Sequence, residues 1–176
     1  MRVISGKYRG KKLKEFELDS TRPTLDRVKE SIFNLIQFDV AGAVVLDLFS
    51  GTGSFGIEAI SRGASKTYLV DSNPKAIKII NENLKGIDGN FVVKNQEALS
   101  FLNGDEKFDI VLLDPPYKTD LGEKAINIII SQNKLNENGI IIFETSADMQ
   151  FNFNFEGYTI TNRKYGTVMV YKFVKD

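Results

Sequence analysis

Residues 44–56 read VVLDLFSGTGSFG: an apolar run broken only by Asp47, then a literal G-x-G-x-x-G at Gly51, Gly53 and Gly56. The run has the length and β-branched content of a buried strand. Gly51 and Gly53 let the chain turn sharply and bring its backbone against a ligand at the N-terminus of the helix that follows. The glycine pattern alone is weak evidence for any one ligand. Two details argue against a pyrophosphate. Asp47 stands at the end of the strand, where a carboxylate repels a phosphate but welcomes the ammonium of an amino-acid-like ligand. Phe49 and Ser50 also separate the strand from the first glycine, where a dinucleotide loop turns at once.

Outward from this stretch, strands and helices alternate. Val44–Phe49 reads as a strand and Ser54–Arg62 as a helix; Lys66–Asp71 is a strand, with Asn73 as N-cap and Pro74 at the first helical position of the next helix. Phe91–Lys94 is a strand, a short helix falls near Glu97–Leu102, Phe108–Leu113 is a strand, and Leu121, Ala125, Ile128 and Ile129 stripe a helix before strand Gly139–Glu144. Five β-then-α units predict an α/β fold with a parallel sheet covered by helices on both faces. Gly157–Lys164 and Thr167–Val174 read instead as an antiparallel hairpin turning near Tyr165-Gly166. Before all of this, Leu25, Val28, Ile32, Leu35 and Ile36 mark a helix that begins at Pro23 and Thr24, and Arg2–Ser5 with Lys11–Lys14 predict a β-hairpin around Gly6 and Gly10. The expected division is residues 1–40 as an N-terminal hairpin and helix, and 41–176 as the catalytic domain.

Composition narrows the chemistry. The chain has 176 residues, 42% of them hydrophobic, which suits one well-buried domain. It holds no cysteine and no histidine, which removes thiolate nucleophiles, Ser-His pairs and ordinary zinc sites. Catalysis must then come from carboxylates, backbone dipoles, hydroxyls or a cofactor with its own reactivity, and no metal is expected. The absence of cysteine and of an apolar leader or span points to the cytoplasm and away from a membrane. The 23 basic and 23 acidic residues are unevenly placed. Residues 1–14 carry Arg2, Lys7, Arg9, Lys11, Lys12 and Lys14 with no acid, leaving 17 basic against 23 acidic residues in the remainder. A basic arm on an acidic body fits a polyanion-binding protein, and equally a solubilising surface hairpin.

Asp114-Pro115-Pro116-Tyr117 decides between ligands. It follows strand Ile110–Leu113 and so lies at the carboxyl edge of the sheet, where open α/β sheets bind ligands. Asp114 and the Pro115 carbonyl can accept both hydrogens of a planar exocyclic amine while Tyr117 stacks on the ring that bears it. An aryl amine is a poor nucleophile because its lone pair is delocalised; two acceptors on its N–H bonds localise that density and stabilise the charge that develops on attack. A sulfonium methyl donor completes a displacement by positioning alone. Asp71, ending the second strand, suits two ribose hydroxyls of any adenosine cofactor.

These residues resemble a known group. RVISGKYRGKKL (2–13), TRPTLDRVKESIFN (21–34), VLDLFSGTGSFGIEAISRGA (45–64), the acid in YLVDSNPKA, LLDPPY (112–117) and RKYG (163–166) together resemble the RsmD family of bacterial 16S rRNA guanine-N2 methyltransferases, within the class I S-adenosylmethionine-dependent enzymes. The resemblance implies a Rossmann-like, mostly parallel seven-stranded sheet. It implies that Asp47, Phe49, Gly51 and Gly53 hold the methionine part of S-adenosyl-L-methionine, Asp71 and Ser72 the ribose, and either Gln96 or Glu97 the adenine. Asp114 to Tyr117 would hold the guanine amine, and Arg22 and Thr24 of TRPT would close over the site. Arg2, Lys7, Arg9, Lys11, Lys12 and Arg22 would grip RNA phosphates, with Arg163-Lys164 on the rim. The implied partner is 16S rRNA, within a small-subunit particle, met by a monomer.

Three other readings compete. An adenine-N6 or cytosine-N4 methyltransferase uses the same loop but usually carries a separate target-recognition region, for which the chain has no room. A non-catalytic adenosine- or RNA-binding module has no need of both loops. A nicotinamide-dependent oxidoreductase answers the glycine pattern but conflicts with Asp47 and the DPPY loop.

Overall fold

Strand β1 (Val44–Leu48) is buried along nearly its whole length because it has a parallel neighbour on each edge: β2 (Lys66–Asp71) and β4 (Phe108–Leu113). That is why its sequence is an apolar run with no alternation. The computed structural model describes residues 1–17 and 22–176, the side chains of 22–24 excepted. With β3 (Phe91–Asn95), β5 (Leu135–Ser146), β6 (Tyr158–Tyr165) and β7 (Val168–Lys175), the sheet has seven strands in the order β3-β2-β1-β4-β5-β7-β6. The first five run parallel, whereas β7 pairs antiparallel with both β5 and β6.

Helices α1 (Arg22–Leu35), α2 (Ser54–Ser61), α3 (Pro74–Asn83), α4 (Ala98–Phe101) and α5 (Leu121–Ser131) connect and cover these strands. The α3 start follows its sequence signal: Asn73 accepts the Lys75 amide at 2.9 Å, and Pro74 occupies the first turn. On one face Val28, Ile32 and Phe33 of α1, with Ile36 just beyond its end, pack against Val45, Ile110 and Ile142. On the other, Leu48, Val70, Leu113 and Phe143 meet α4 and α5.

Two expectations are corrected. The fifth β-then-α unit has no helix: residues 147–157 run as an irregular segment whose alternate Phe151, Phe153 and Phe155 lie over Phe143, Tyr171 and Phe173, with Phe151 and Phe153 stacked at 5.2 Å. These rings cover the apolar face that a helix would otherwise cover. Strand β5 also begins earlier than Gly139. Leu135 pairs with Phe108, and the register shift that follows, with Asn138 at φ 57°, hides the strand behind three polar residues.

The basic arm is a short hairpin-like loop held by one antiparallel bridge, Arg2 to Lys12. Val3 and Leu13 sink into a cluster with Ile57, Ile60, Leu69 and Ile80. Its backbone is pinned by Glu58 of α2, which is fully buried and accepts the amides of Ile4 (2.9 Å) and Ser5 (3.0 Å) and the Arg62 guanidinium (2.8 Å). Lys29 of α1, also buried, lies 3.7 Å from Glu58 and donates to the Arg2 carbonyl (2.7 Å) and to Ser54 Oγ (2.8 Å). Burial lowers the Lys29 pKa, and Glu58 opposes that shift. Replacing Glu58 by Ala strands a buried ammonium and two amides. The variant is expected to lose about 3–5 kcal/mol of unfolding free energy; urea unfolding checks this, and a loss below about 1 kcal/mol would mean that Glu58 does not hold the arm.

Candidate active site

Register places the site. Val70, Leu48, Leu113 and Phe143 form one row across β2, β1, β4 and β5. Of the residues that follow them at the carboxyl edge, Asp71, Asp114 and Glu144 turn to the opposite face from that row, whereas Phe49, at φ 66°, packs back against the row's own cluster. One step below, Asp47 pairs with Leu112 and faces the same way. Four carboxyl groups thus share one edge, and a cleft of about 540 Å³ opens above them, a size suited to a small-molecule ligand.

Asp47 does not line that cleft. It is 2% exposed and sits beneath the glycine loop, where its Oδ2 accepts Ser50 Oγ at 2.7 Å and the Gly56 amide at 2.8 Å. Its direct action is to hold the loop. The third glycine is explained here as well: a Cβ at Gly56 would come within 2.7 Å of the Leu69 side chain and 3.1 Å of Asp47 Oδ2. Burial pushes the Asp47 carboxyl up to about 7, against the pull of its two hydrogen bonds. Gly51 and Gly53 adopt φ of 56° and 82°, and Phe49, at φ 66°, takes a conformation rare outside glycine. Such strain persists where the surroundings over-determine it, and here it turns the loop into the cleft.

Asp71 lies on the cleft wall, its Oδ2 accepting the Gly51 amide (2.8 Å) and Oδ1 the Asn73 amide (2.8 Å). Phe49, Gly51, Ser72, Gln96 and Glu97 line the same cleft, so both candidates for the adenine position face it. Gln96 commits its backbone amide to the Asp71 carbonyl and its side-chain amide to Ser100 Oγ (3.3 Å). Gly53 lies just behind the wall.

Across the cleft stand Asp114, Pro115, Pro116 and Tyr117. Thr119 Oγ1 donates to the Pro116 carbonyl at 2.7 Å and fixes the loop's exit. Tyr117 is 49% exposed, and its hydroxyl donates to Glu144 Oε1 at 3.4 Å. Burial pushes Asp114 up to about 7. Burial and then the Asp114 charge hold Glu144 well above the carboxylate range, and burial with Glu144 raises Tyr117. Glu144, 3% exposed, is the residue that sequence reasoning missed. Its signal was an acid closing the apolar run of β5, as Asp114 closes that of β4.

Of the arm's cations, Lys7 lies 3.8 Å from Asp88, Lys11 donates to the Lys85 carbonyl (2.7 Å), and Lys14 pairs with Glu82. Arg2, Arg9 and Lys12 are exposed and form no ion pair among the described residues. Arg163 and Lys164 are exposed on edge strand β6, whose turn into β7 lies at the carboxyl edge beside Ser146. The side chains of Arg22 and Thr24 lie outside the described residues. Among the described residues no group of acidic side chains converges closely enough to hold a metal ion, and no helix is long and apolar enough to cross a membrane.

A seven-stranded sheet in this order, with an antiparallel β7 and a ligand cleft at the carboxyl edge, is the architecture of the class I methyltransferases. The comparisons agree with it. The family model described as "Conserved hypothetical protein 95" matches residues 1–174. The chain is 34% identical over 178 residues to the Ribosomal RNA small subunit methyltransferase D of Haemophilus influenzae, covering 98% of this chain and 92% of that one. It is 40% identical over 156 residues to YlbH of Bacillus subtilis, covering 85% of each. The solved yhhF structure of Escherichia coli superposes with a TM-score of 0.90 at 28% identity, covering 100% of this chain and 98% of that one. The chain belongs to this family, the RsmD family of ribosomal RNA methyltransferases.

The raised carboxyls have a thermodynamic consequence. Unfolded aspartates ionise near 4, whereas Asp47 and Asp114 keep their protons to about 7 in the folded chain. Between those values the native state binds more protons, so these groups' contribution to stability falls as pH rises through 7 and is flat above. Urea unfolding of the ligand-free protein across this range should show that fall, and Asp47→Asn should reduce it; a slope unchanged in the variant contradicts the assignment.

Proposed function

We propose that the protein transfers the methyl group of S-adenosyl-L-methionine to the exocyclic N2 amine of a specific guanine in 16S rRNA. The observation that carries this reading is the Asp114-Pro115-Pro116-Tyr117 loop facing the glycine loop and Asp71 across one cleft. The donor set fits the cofactor: Asp71 for a ribose diol, Gln96 and Glu97 beside an adenine, and a row of carboxyls for a sulfonium and an ammonium. When bound, the cofactor supplies an electrophilic methyl with a built-in leaving group. Asp47 holds the glycine loop, and once ionised its charge beneath the loop favours the ammonium of the amino-acid end.

The chain's own residues handle the amine. Asp114 and the Pro115 carbonyl accept its two hydrogens and orient its lone pair, and Tyr117 stacks on the base. Asp114 is placed to stabilise the positive charge that N2 would gain in taking the methyl group, whose former bonding pair would stay on the donor's sulfur. One N2 proton then leaves to the Asp114 carboxylate or to water. The target must be unpaired or flipped out, since N2 faces the shallow groove of a paired guanine.

Residues 1–40 serve as the RNA-contacting extension of the catalytic domain, residues 41–176. Arg2, Arg9, Lys12 and Arg22, with Lys7 and Lys11 once freed, neutralise phosphates and give salt-dependent affinity without reading sequence. So short an arm supplies little specificity, which favours an assembled small-subunit particle in the cytoplasm over protein-free RNA, met by a monomeric enzyme.

Tritium transfer from labelled cofactor to small subunits from cells lacking the endogenous enzyme, followed by nucleoside digestion, tests this. Wild type should place label in N2-methylguanosine, and Asp114→Ala should lower the rate by about 10²-fold or more. Label in methyladenosine or methylcytidine would overturn the base assignment, and no label despite cofactor binding would overturn the activity. Since Asp114 must be ionised to accept the amine, kcat/KM should rise with pH to a plateau above about 7; a rate that falls over that range contradicts this role.

A further inference from the structure

We propose that Glu144 selects guanine at this site by accepting its N1–H while Asp114 and the Pro115 carbonyl take the N2 amine. The inference rests on the amino-methyltransferase reading and supplies what the D-P-P-Y loop lacks, namely base identity. Every base with an exocyclic amine can offer two N–H donors to Asp114 and Pro115. The neighbouring ring atom differs: next to the amine, adenine presents the N1 lone pair and cytosine the N3 lone pair, whereas guanine presents an N1–H donor. A second acceptor beside the first therefore fits guanine and opposes the other two.

The structure puts that acceptor there. Asp114 and Glu144 each follow one member of the Leu113–Phe143 register pair, on adjacent parallel strands and facing the same side. Both line the cleft, together with Pro115 and Tyr117. Glu144 is 3% exposed, so an unmatched lone pair against it has little water to turn to. The only hydrogen-bond partner of its carboxyl group among the described residues is the Tyr117 hydroxyl at 3.4 Å, a long contact that leaves acceptor capacity unused. Tyr117 also ties the stacking ring to the acceptor, so the base plane and its edge are fixed by one contact. Two neighbouring carboxyls in a dry site repel one another. Guanine relieves this with an N–H to each, whereas a ring lone pair requires Glu144 to keep a proton.

The test uses small-subunit particles reconstituted with 16S rRNA carrying either guanine or 2-aminopurine at the position that wild type labels. 2-Aminopurine keeps the N2 amine and replaces N1–H by a lone pair. Under alkaline conditions wild type should strongly prefer guanine. Glu144→Gln, whose amide can donate to that lone pair, should narrow the ratio of kcat/KM values by at least about tenfold. Glu144→Asp, which keeps the carboxylate, should retain the preference at a lower rate. The same ratio in wild type and Glu144→Gln would overturn the proposal, as would a Glu144→Asp enzyme that loses the preference. A Glu144→Gln enzyme that binds cofactor but methylates neither base would also overturn it, by making the residue a general requirement. If wild type labels no guanine in any particle, it is the underlying activity that fails.

Discussion

Four carboxyl groups drawn to one edge of a sheet are the constraint around which the rest of the molecule is arranged. Asp71, Asp114 and Glu144 stand in a row across β2, β4 and β5, with Asp47 one step beneath. Like charges in a desolvated place cannot all ionise without a partner, and two of these groups hold their protons to about 7. The sulfonium and ammonium of S-adenosyl-L-methionine suit such a place. A dinucleotide would bring two more negative charges to this edge, whereas a sulfonium carrying an ammonium brings two positive ones against a single carboxylate. The glycine loop is thus read by the acids around it more than by its glycines.

The arm and the cleft are fastened by the same side chains. Lys29 joins the Arg2 carbonyl to Ser54, the first residue of α2 after the glycine loop. Asn83 bonds the backbone of Lys14 on both sides (2.7 and 3.1 Å) and reaches the Thr52 carbonyl of that loop at 2.9 Å. The N-terminal segment is therefore part of the scaffold that shapes the cofactor cleft, with Met1, Phe16, Leu25 and Lys29 on its wall. The basic arm and the glycine loop are thus held by one set of hydrogen bonds.

Much of this was legible in the sequence, for physical reasons that differ by element. β2 and β4 were placed to the residue because each carries an unbroken apolar stretch, Tyr68–Val70 and Ile110–Leu113, and α3 because its cap and proline signals are local. The start of β5 was hidden since its first turn of sequence is Asn-Glu-Asn, which a bulge accommodates and no period reveals. Alternation in Phe151, Phe153 and Phe155 has a strand's period, yet those rings cover the sheet in place of a helix. Asp71 and the D-P-P-Y loop reach the carboxyl edge where expected because they follow recognisable strands. Asp47 was expected to meet the ammonium of the cofactor, whereas its burial under the loop, bonded to Ser50 and Gly56, depends on a fold that no spacing discloses. Glu144 follows a strand whose register against β4 must be known before the acid means anything. Lys29 and Glu58 carry no signal of their own, because the arm's backbone that buries them lies far away in sequence.

The most direct test of the acidic edge as a cation site is proton release on binding. Calorimetric titration of the protein with S-adenosylmethionine and with S-adenosylhomocysteine, near pH 7 in buffers of different ionisation enthalpy, counts the protons exchanged. A sulfonium placed among Asp114, Glu144 and their neighbours favours the ionised carboxylates, so the sulfonium ligand should release more protons than its neutral thioether counterpart. Equal release from the two ligands, or net uptake, would contradict the account.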